Sequence, residues 1–214
     1  MQTKHKVLDV TKYSASAFTI TMERNKLQFE PGACVAIKGK PYSIASSPND
    51  AYIKLFIRKI DGGQVSTYLS NQTYGDIVEI TDTFNYFYPG RDCDDGRYVF
   101  VATGVGISPF LSALNFYTHK PCVLCYGVRT YEEIIDPNVF KHIHKTHITI
   151  SRDPNISPKI PKRITDLRIL KYIPISKRHK YFLCGVSEMI DDVSNYLTNK
   201  GVNTSQIISE LFFV

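Results

Sequence analysis

Hydrophobic and polar positions follow one rhythm in the first part of this chain and another in the rest. Between residues 6 and 60 apolar side chains alternate with polar ones or run in short β-rich blocks. These blocks are Val7-Leu8-Asp9-Val10, Phe18-Thr19-Ile20-Thr21-Met22, Val35-Ala36-Ile37 and Tyr52-Ile53-Lys54-Leu55-Phe56-Ile57. Turn-forming clusters separate them, at Pro31-Gly32, Ser47-Pro48-Asn49-Asp50 and Asp61-Gly62-Gly63. Short strands at this spacing predict an antiparallel β-barrel. A short helix over 65–70 and a strand at Ile77-Val78-Glu79-Ile80 complete it.

The stretch Pro89-Gly90-Arg91-Asp92-Cys93-Asp94-Asp95-Gly96 is polar and reads as a linker. Beyond it Tyr98-Val99-Phe100-Val101-Ala102 is continuously apolar, as expected of a strand covered on both faces. It leads through glycines into Phe110-Leu111-Ser112-Ala113-Leu114-Asn115-Phe116-Tyr117, which is apolar at helical spacing. Strands at Val123-Leu124-Cys125-Tyr126, His147-Ile148-Thr149-Ile150 and Tyr181-Phe182-Leu183-Cys184 then alternate with helical segments, among them 188–199. That alternation predicts a parallel α/β sheet. The expected organisation is two domains, a barrel over 1–92 and an α/β domain over 93–214.

At 43% hydrophobic and 12% aromatic, the composition is that of a folded globular protein. No apolar run approaches the roughly 20 residues that span a bilayer, and Met1-Gln2-Thr3-Lys4-His5-Lys6 leads into alternating residues, not an apolar block, so a cytoplasmic protein is expected. Five cysteines without a regular framework point to reduced thiols. Cys122 and Cys125 lie three apart on a strand and point to opposite faces, and His142, His144 and His147 lack accompanying ligands, so no metal is expected. The formal charge of +6, with much of the excess between Lys159 and Lys180, favours acidic or phosphate-bearing partners. No nucleic-acid-binding signature accompanies the charge, and a solvated basic face is the reading adopted.

Three segments carry candidate chemistry. Thr103-Gly104-Val105-Gly106-Ile107-Ser108-Pro109 joins a strand to a helix, where glycines admit an anion close to backbone amides backed by the helix dipole. It departs from the simple G-x-G-x-x-G dinucleotide fingerprint. Lys40-Pro41-Tyr42-Ser43-Ile44-Ala45-Ser46 offers an aromatic ring and hydroxyls, and Gly62-Gly63-Gln64-Val65-Ser66 offers amides and a hydroxyl at a helix start.

In this order the segments resemble the ferredoxin–NADP+ reductase superfamily, especially its compact bacterial ferredoxin/flavodoxin–NADP+ reductases. Lys40-Pro41-Tyr42-Ser43 is similar to the R-x-Y-S flavin motif and Gly63-Gln64-Val65-Ser66 to the G-x-x-S diphosphate segment. The glycine turn is similar to the nicotinamide segment, Cys184-Gly185 with Met189 to C-G-x-x-x-M, and Glu210-Leu211-Phe212-Phe213 to the acidic-aromatic C-terminus. The resemblance covers nearly the whole chain. It implies an FAD-binding barrel followed by an NADP(H)-binding α/β domain. The implied activity is hydride transfer between nicotinamide C4 and flavin N5, with electrons passed singly to an acidic ferredoxin or flavodoxin.

The resemblance also implies residue roles. Ser43, Cys184 and Glu210 become the catalytic set, with Ser43 near N5, Cys184 bordering the nicotinamide and Glu210 assisting proton exchange. Lys40, Tyr42, Ser43, Ile44, Phe56, Ile57, Gln64, Val65, Ser66, Thr103 and Phe212 become FAD-binding. Thr103, Gly104, Val105, Gly106, Cys184, Gly185 and Met189 become NADP-binding, joined by Arg129, Ser151, Arg152 and Arg163 at the 2′-phosphate. Guanidinium forks suit a dianionic phosphate, so NADPH is expected over NADH. Lys40 replaces the motif arginine, Val105 replaces a common threonine, and 82–87 lacks the glycine-proline motif of many members. Gly-Val-Gly-Ile occurs also in reductases that serve oxygenases. A flavin reductase, an oxygenase reductase component and a non-catalytic flavin-binding subunit therefore stay open beside the preferred monomeric reductase.

Overall fold

Strand β1 (Gln2–Ser14) serves two neighbours in turn, pairing β6 (Ile77–Thr81) through Gln2–Lys6 and β2 (Ala17–Glu23) through Val7–Ser14. The register shifts between Val7 and Asp9, and such an irregularity bends a strand and lets a sheet curl. β1 starts earlier than its alternating residues predict because an inward position is His5, which is buried. Its ring nitrogens bond Thr3 Oγ1 at 2.8 Å and the Glu23 carbonyl at 2.7 Å.

The structure is a computed structural model, and it describes residues 2–84, 87, 97–116, 122–135, 137–157 and 159–212. The linker 89–96, with the expected boundary at 92/93, lies outside the described residues, as does Phe213. The chain divides into two compact units, Met1–Pro89 with Ser108–Phe116, and Gly90–Ile107 with Tyr117–Val214.

In the first unit a four-stranded sheet runs β5-β2-β1-β6, where β5 is Tyr52–Arg58, and a hairpin joins β3 (Cys34–Ile37) to β4 (Lys40–Ser43). The hairpin closes the curl on both sides. Ala36 N donates to Thr81 Oγ1 at 2.9 Å, Cys34 bridges Phe84, Ile44 bridges Leu55, and Ala45 N donates to the Lys54 carbonyl at 2.8 Å. Six antiparallel strands thus wrap a core that includes Val7, Ile20, Met22, Val35, Ile37, Ile53, Leu55 and Ile80. Helix α1 (Gln64–Ser70) adds Leu69 to that core. Helix α2 (Ser108–Phe116) belongs to this unit, with Phe110 against Phe87 at 5.6 Å and Ser108 Oγ donating to the Phe56 carbonyl at 3.5 Å.

The second unit is a five-stranded parallel sheet in the order β11-β10-β7-β8-β9. Its strands are β7 (Tyr98–Thr103), β8 (Cys122–Val128), β9 (Lys145–Ile150), β10 (Lys180–Gly185) and β11 (Ile207–Leu211). One face packs under the turn α3 (Leu167–Leu170) and the helix α4 (Ser187–Asn199), whose Met189, Val193 and Leu197 recur every four residues. α4 ends in paired hydrogen bonds from Gly201 N to the Thr198 carbonyl and from Val202 N to the Leu197 carbonyl, with Leu197 and Val202 in the same core. The other face carries Tyr98, Phe100 and Phe182 within 6.1 Å of one another.

Strand order reverses between β7 and β10, and open sheets of this kind bind ligands outside the strand carboxyl ends at such a point. Among the described residues no helix is long and apolar enough to cross a membrane, and no cluster could hold a metal ion.

β11 escapes the sequence reading because Ile207-Ile208-Ser209-Glu210-Leu211 is a five-residue edge strand with half-exposed side chains. Its approach is anchored by buried Gln206, whose Nε2 donates to the Ser176 and His179 carbonyls at 2.9 and 2.7 Å while Oε1 accepts from Asn203 N at 3.2 Å. Gln206→Ala is expected to cost about 1–3 kcal/mol, the penalty of leaving such partners unpaired. A urea unfolding curve indistinguishable from wild type would contradict this.

Candidate functional site

At the carboxyl ends of β7 and β10 two backbone segments press together without intervening side chains. A Cβ on Gly106 would overlap the Cys184 carbonyl, and a Cβ on Gly185, held at φ +151°, would overlap Thr103 Oγ1. Only glycine permits both approaches. Thr103 Oγ1 accepts from Val186 N, the residue preceding α4, at 3.2 Å. Tyr126 Oη donates to the Gly104 carbonyl at 3.1 Å and holds the turn from β8.

β10 and β11 are paired so that Cys184 stands opposite Glu210. The buried Cys184 Sγ donates to Glu210 Oε2 at 4.0 Å, the long distance being that of a sulfur donor. Phe212 N donates to the Gly185 carbonyl at 3.0 Å, which fixes the chain after β11 to the end of β10.

Pairing of β8 with β9 continues past the strand ends. Ser151 N and Oγ donate to the Val128 carbonyl at 2.9 and 3.2 Å, and Arg152 N donates to the Arg129 carbonyl at 2.8 Å. Arg129 and Arg152 thus leave adjacent strands at one edge. Arg129 N in turn donates to the buried Glu133 Oε2 at 3.4 Å. Ile164 packs on the bare Gly127, with its Cδ1 3.2 Å from where a Cβ would stand, and this brings the exposed Arg163 toward the end of β8.

Arg163 lines a shallow depression with Lys162, Thr165 and Arg168. Arg168 is committed locally, since its Nη2 and Nε bond Asp166 Oδ2 at 2.7 Å and Oδ1 at 3.0 Å. That guanidinium holds the Asp166 carboxyl down at about 2. Among the described residues no carboxylate pairs with Arg152 or Arg163.

In the barrel, Ile37 and Lys40 face each other across a two-residue turn, Lys38-Gly39, with φ values of +48° and +77°. Positive φ at both centres marks the turn whose twist matches a hairpin. The turn puts Tyr42 opposite Val35 and Ser43 opposite Cys34. Tyr42 is half-buried against the barrel core, and burial pushes its phenol up and keeps it neutral. Ser43 is buried, with its Oγ 3.3 Å from Cys34 Sγ. Lys38 Nζ lies 3.5 Å from the Tyr68 ring centroid, a cation–π contact that ties the hairpin turn to α1.

These features have relatives of known kind. Residues 100–195 match the family of oxidoreductase NAD-binding domains. A ferredoxin–NADP+ reductase from Neisseria gonorrhoeae, solved with bound FAD and NADP, superposes with a TM-score of 0.85 at 24% identity over 99% of both chains. A flavodoxin/ferredoxin–NADP reductase of Buchnera aphidicola is 23% identical across 91% of this chain and 89% of its own. The chain has the fold of the ferredoxin–NADP+ reductases. A reductase component of naphthalene dioxygenase and salicylate hydroxylase systems from a Ralstonia species is 28% identical over 209 residues, 87% of this chain. The chain spans 61% of that relative's length.

Within this fold the expected nicotinamide residues Thr103, Gly104, Val105, Gly106, Cys184 and Gly185 gather at the switch point, with Glu210 beside them. Met189 is a buried core residue whose Cε lies 3.1 Å from the Cβ position of Gly185. Arg129, Ser151 and Arg152 follow the ends of β8 and β9, and Arg163 adjoins Ile164, which packs on Gly127 of β8. Of the expected flavin residues, Lys40, Tyr42, Ser43, Gln64, Val65 and Ser66 sit on the linked hairpin and α1. Ser66 is buried and its Oγ is already engaged, accepting from Ile60 N at 3.1 Å and donating to the Gly63 carbonyl at 3.4 Å.

Ile44 and Ile57 fill the barrel core, whereas Phe56 is buried on the opposite face of β5, edge-on to Tyr13 at 6.0 Å. Sequence reasoning missed Cys34, Tyr126 and Glu133. Only strand register sets Cys34 opposite Ser43, and only the fold brings Tyr126 to the glycine turn, so no local pattern pointed to either.

Gly106→Ala drives a methyl into a main-chain carbonyl that no side-chain rotation can relieve. It is expected to destabilise the protein by about 1–3 kcal/mol, as overpacking does. Thermal unfolding at the wild-type midpoint would count against this packing.

Proposed function

We propose that the chain is an FAD-dependent reductase that takes electrons from NADPH and passes them to a one-electron carrier protein, an acidic ferredoxin or a flavodoxin. The observation that carries this reading is the convergence of the glycine turn, Cys184-Gly185 and Glu210 at the switch point, beside the arginines that end β8 and β9. A carrier that docks by charge suits a chain of net charge +6, and opposite charge would speed encounter. A cytoplasmic monomer belongs to the same proposal.

The residues fit both cofactors in chemistry. Gly62, at φ +75°, has no heavy atom within 4 Å of its Cβ position, so the turn before α1 has room for a diphosphate at Gln64–Ser66. Arg129, Ser151, Arg152 and Arg163 supply three guanidinium groups and a hydroxyl suited to a ribose 2′-phosphate. When bound, FAD supplies the redox chemistry, accepting a hydride at N5 and releasing electrons one at a time.

The chain's own groups do the rest. Tyr42 offers a ring face for isoalloxazine stacking, and Ser43 presents a hydroxyl for N5. Ile44, Phe56 and Ile57 are buried in the wall of the same barrel. Cys184 and Glu210 hold a thiol and a carboxylate in contact, a pair suited to positioning the nicotinamide and exchanging a proton.

A second reading is the reductase component of an oxygenase system. It draws on the Ralstonia relative and on Gly104-Val105-Gly106-Ile107. Turnover with ferredoxins of the two kinds separates these readings.

The test is direct. Purified protein is expected to be yellow with one FAD and to bleach on adding NADPH without a partner. A colourless preparation that reduces added flavin would make it a flavin reductase, and a yellow one inert to NADPH and NADH would make it non-catalytic. Arg152→Ala is expected to weaken NADPH roughly ten- to a hundredfold, the worth of a charge-assisted hydrogen bond, while NADH is little affected. Equal losses for both would overturn the phosphate assignment.

A further inference from the structure

Ser43 is 4% exposed and Cys34 4% exposed, so water does not set the direction of the Ser43 hydroxyl. Its Oγ lies 3.3 Å from Cys34 Sγ, and either atom of that pair is able to donate. The sulfur is itself held in place. Cys34 is the direct cross-strand partner of Ser43 in the β3–β4 ladder, and its backbone is clamped from the other side by Cys34 N to the Phe84 carbonyl at 2.8 Å and Phe84 N to the Cys34 carbonyl at 3.0 Å. Ile44 N, donating to the Ala33 carbonyl at 2.8 Å, locks the same register one residue further on.

We propose that Cys34 is the positioning residue for the Ser43 hydroxyl, and that their hydrogen bond reverses with the redox state of the flavin. A hydroxyl carries one proton and two lone pairs, and a thiol is both a weak donor and a weak acceptor. When Cys34 donates to Ser43 Oγ, the serine proton is free to point at an acceptor. When Ser43 donates to Cys34 Sγ, the serine lone pairs are free to face a donor. The inference rests on the placement of Ser43 at flavin N5, an atom that accepts a hydrogen bond in the oxidised flavin and donates one in the reduced flavin. An alanine or an aromatic at position 34 would offer neither setting, whereas a serine would offer both.

The test uses the S–H stretching band in infrared spectra of the full chain, assigned to Cys34 by its loss in Cys34→Ser, together with the midpoint potential of bound FAD and the rate of its reduction by NADPH. In the flavin-free protein, Ser43→Ala is expected to shift the Cys34 band. An unmoved band would overturn the pairing whatever the role of Ser43. In the loaded protein the band is expected to move between oxidised and reduced flavin.

Cys34→Ala is expected to slow reduction about tenfold, the scale of one neutral hydrogen bond, and to shift the potential. Cys34→Ser is expected to restore both. Cys34→Ala placed on Ser43→Ala is expected to add nothing, because each residue acts through the other. Additive effects would overturn the positioning role alone. A Ser43→Ala protein with unchanged rate and potential would overturn the placement of Ser43 at N5 and the redox reversal with it.

Discussion

The arrangement of the second unit depends on how closely the turn after β7 approaches the end of β10. The sheet's strand order opens a crevice between these two strands, and bare backbone on both sides lets the crevice floor be built from main chain. Any side chain at Gly106 or Gly185 would push the two segments apart. The Thr103 hydroxyl then fills the space that Gly185 leaves, receives the Val186 amide, and so couples the first strand of this unit to the start of α4. Everything chemically notable at this edge, from Cys184 and Glu210 to the backbone carbonyl that holds Phe212, is set by that contact through strand register.

The barrel solves a different problem, since a half-buried tyrosine and a buried serine sit side by side on one short strand. A two-residue turn fixes the register of the β3–β4 hairpin, and alternation then sends Tyr42 against the core and Ser43 to the opposite side. Closure of the barrel through Phe84, Thr81 and Leu55 leaves this hairpin without a loose edge. The cation–π contact of Lys38 with Tyr68 carries the same rigidity to α1, so two segments over twenty residues apart become parts of one surface.

Charge is distributed as unevenly as structure. Residues 159–180 contain eight lysines and arginines and one aspartate, so the rest of the chain is close to neutral. These residues form the crossover between β9 and β10, with Ile164, Leu170 and Ile173 turned into the core and the cations outside. Arg168 is spent on its bidentate pair with Asp166, whereas Arg163 stands beside the end of β8. Position in the fold, not the number of charges, separates an arginine suited to a phosphate from one that staples a turn.

Much of this was legible in the residues. The change of period near residue 97, the glycine turn and the apolar stripe of α4 each rest on local spacing, and local spacing reports which face of an element is buried. β11 was not legible, because an edge strand with half-exposed side chains lacks that signature. Nor were Cys34, Tyr126 and Glu133, since nothing next to them in the chain marks them out. The sequence by itself determined the element types, the barrel-then-sheet order and the residue kinds available for chemistry, all of which follow from periodicity and side-chain identity. Tertiary structure alone decided which of those residues meet, because strand register and the packing of glycine backbones depend on partners remote in the chain.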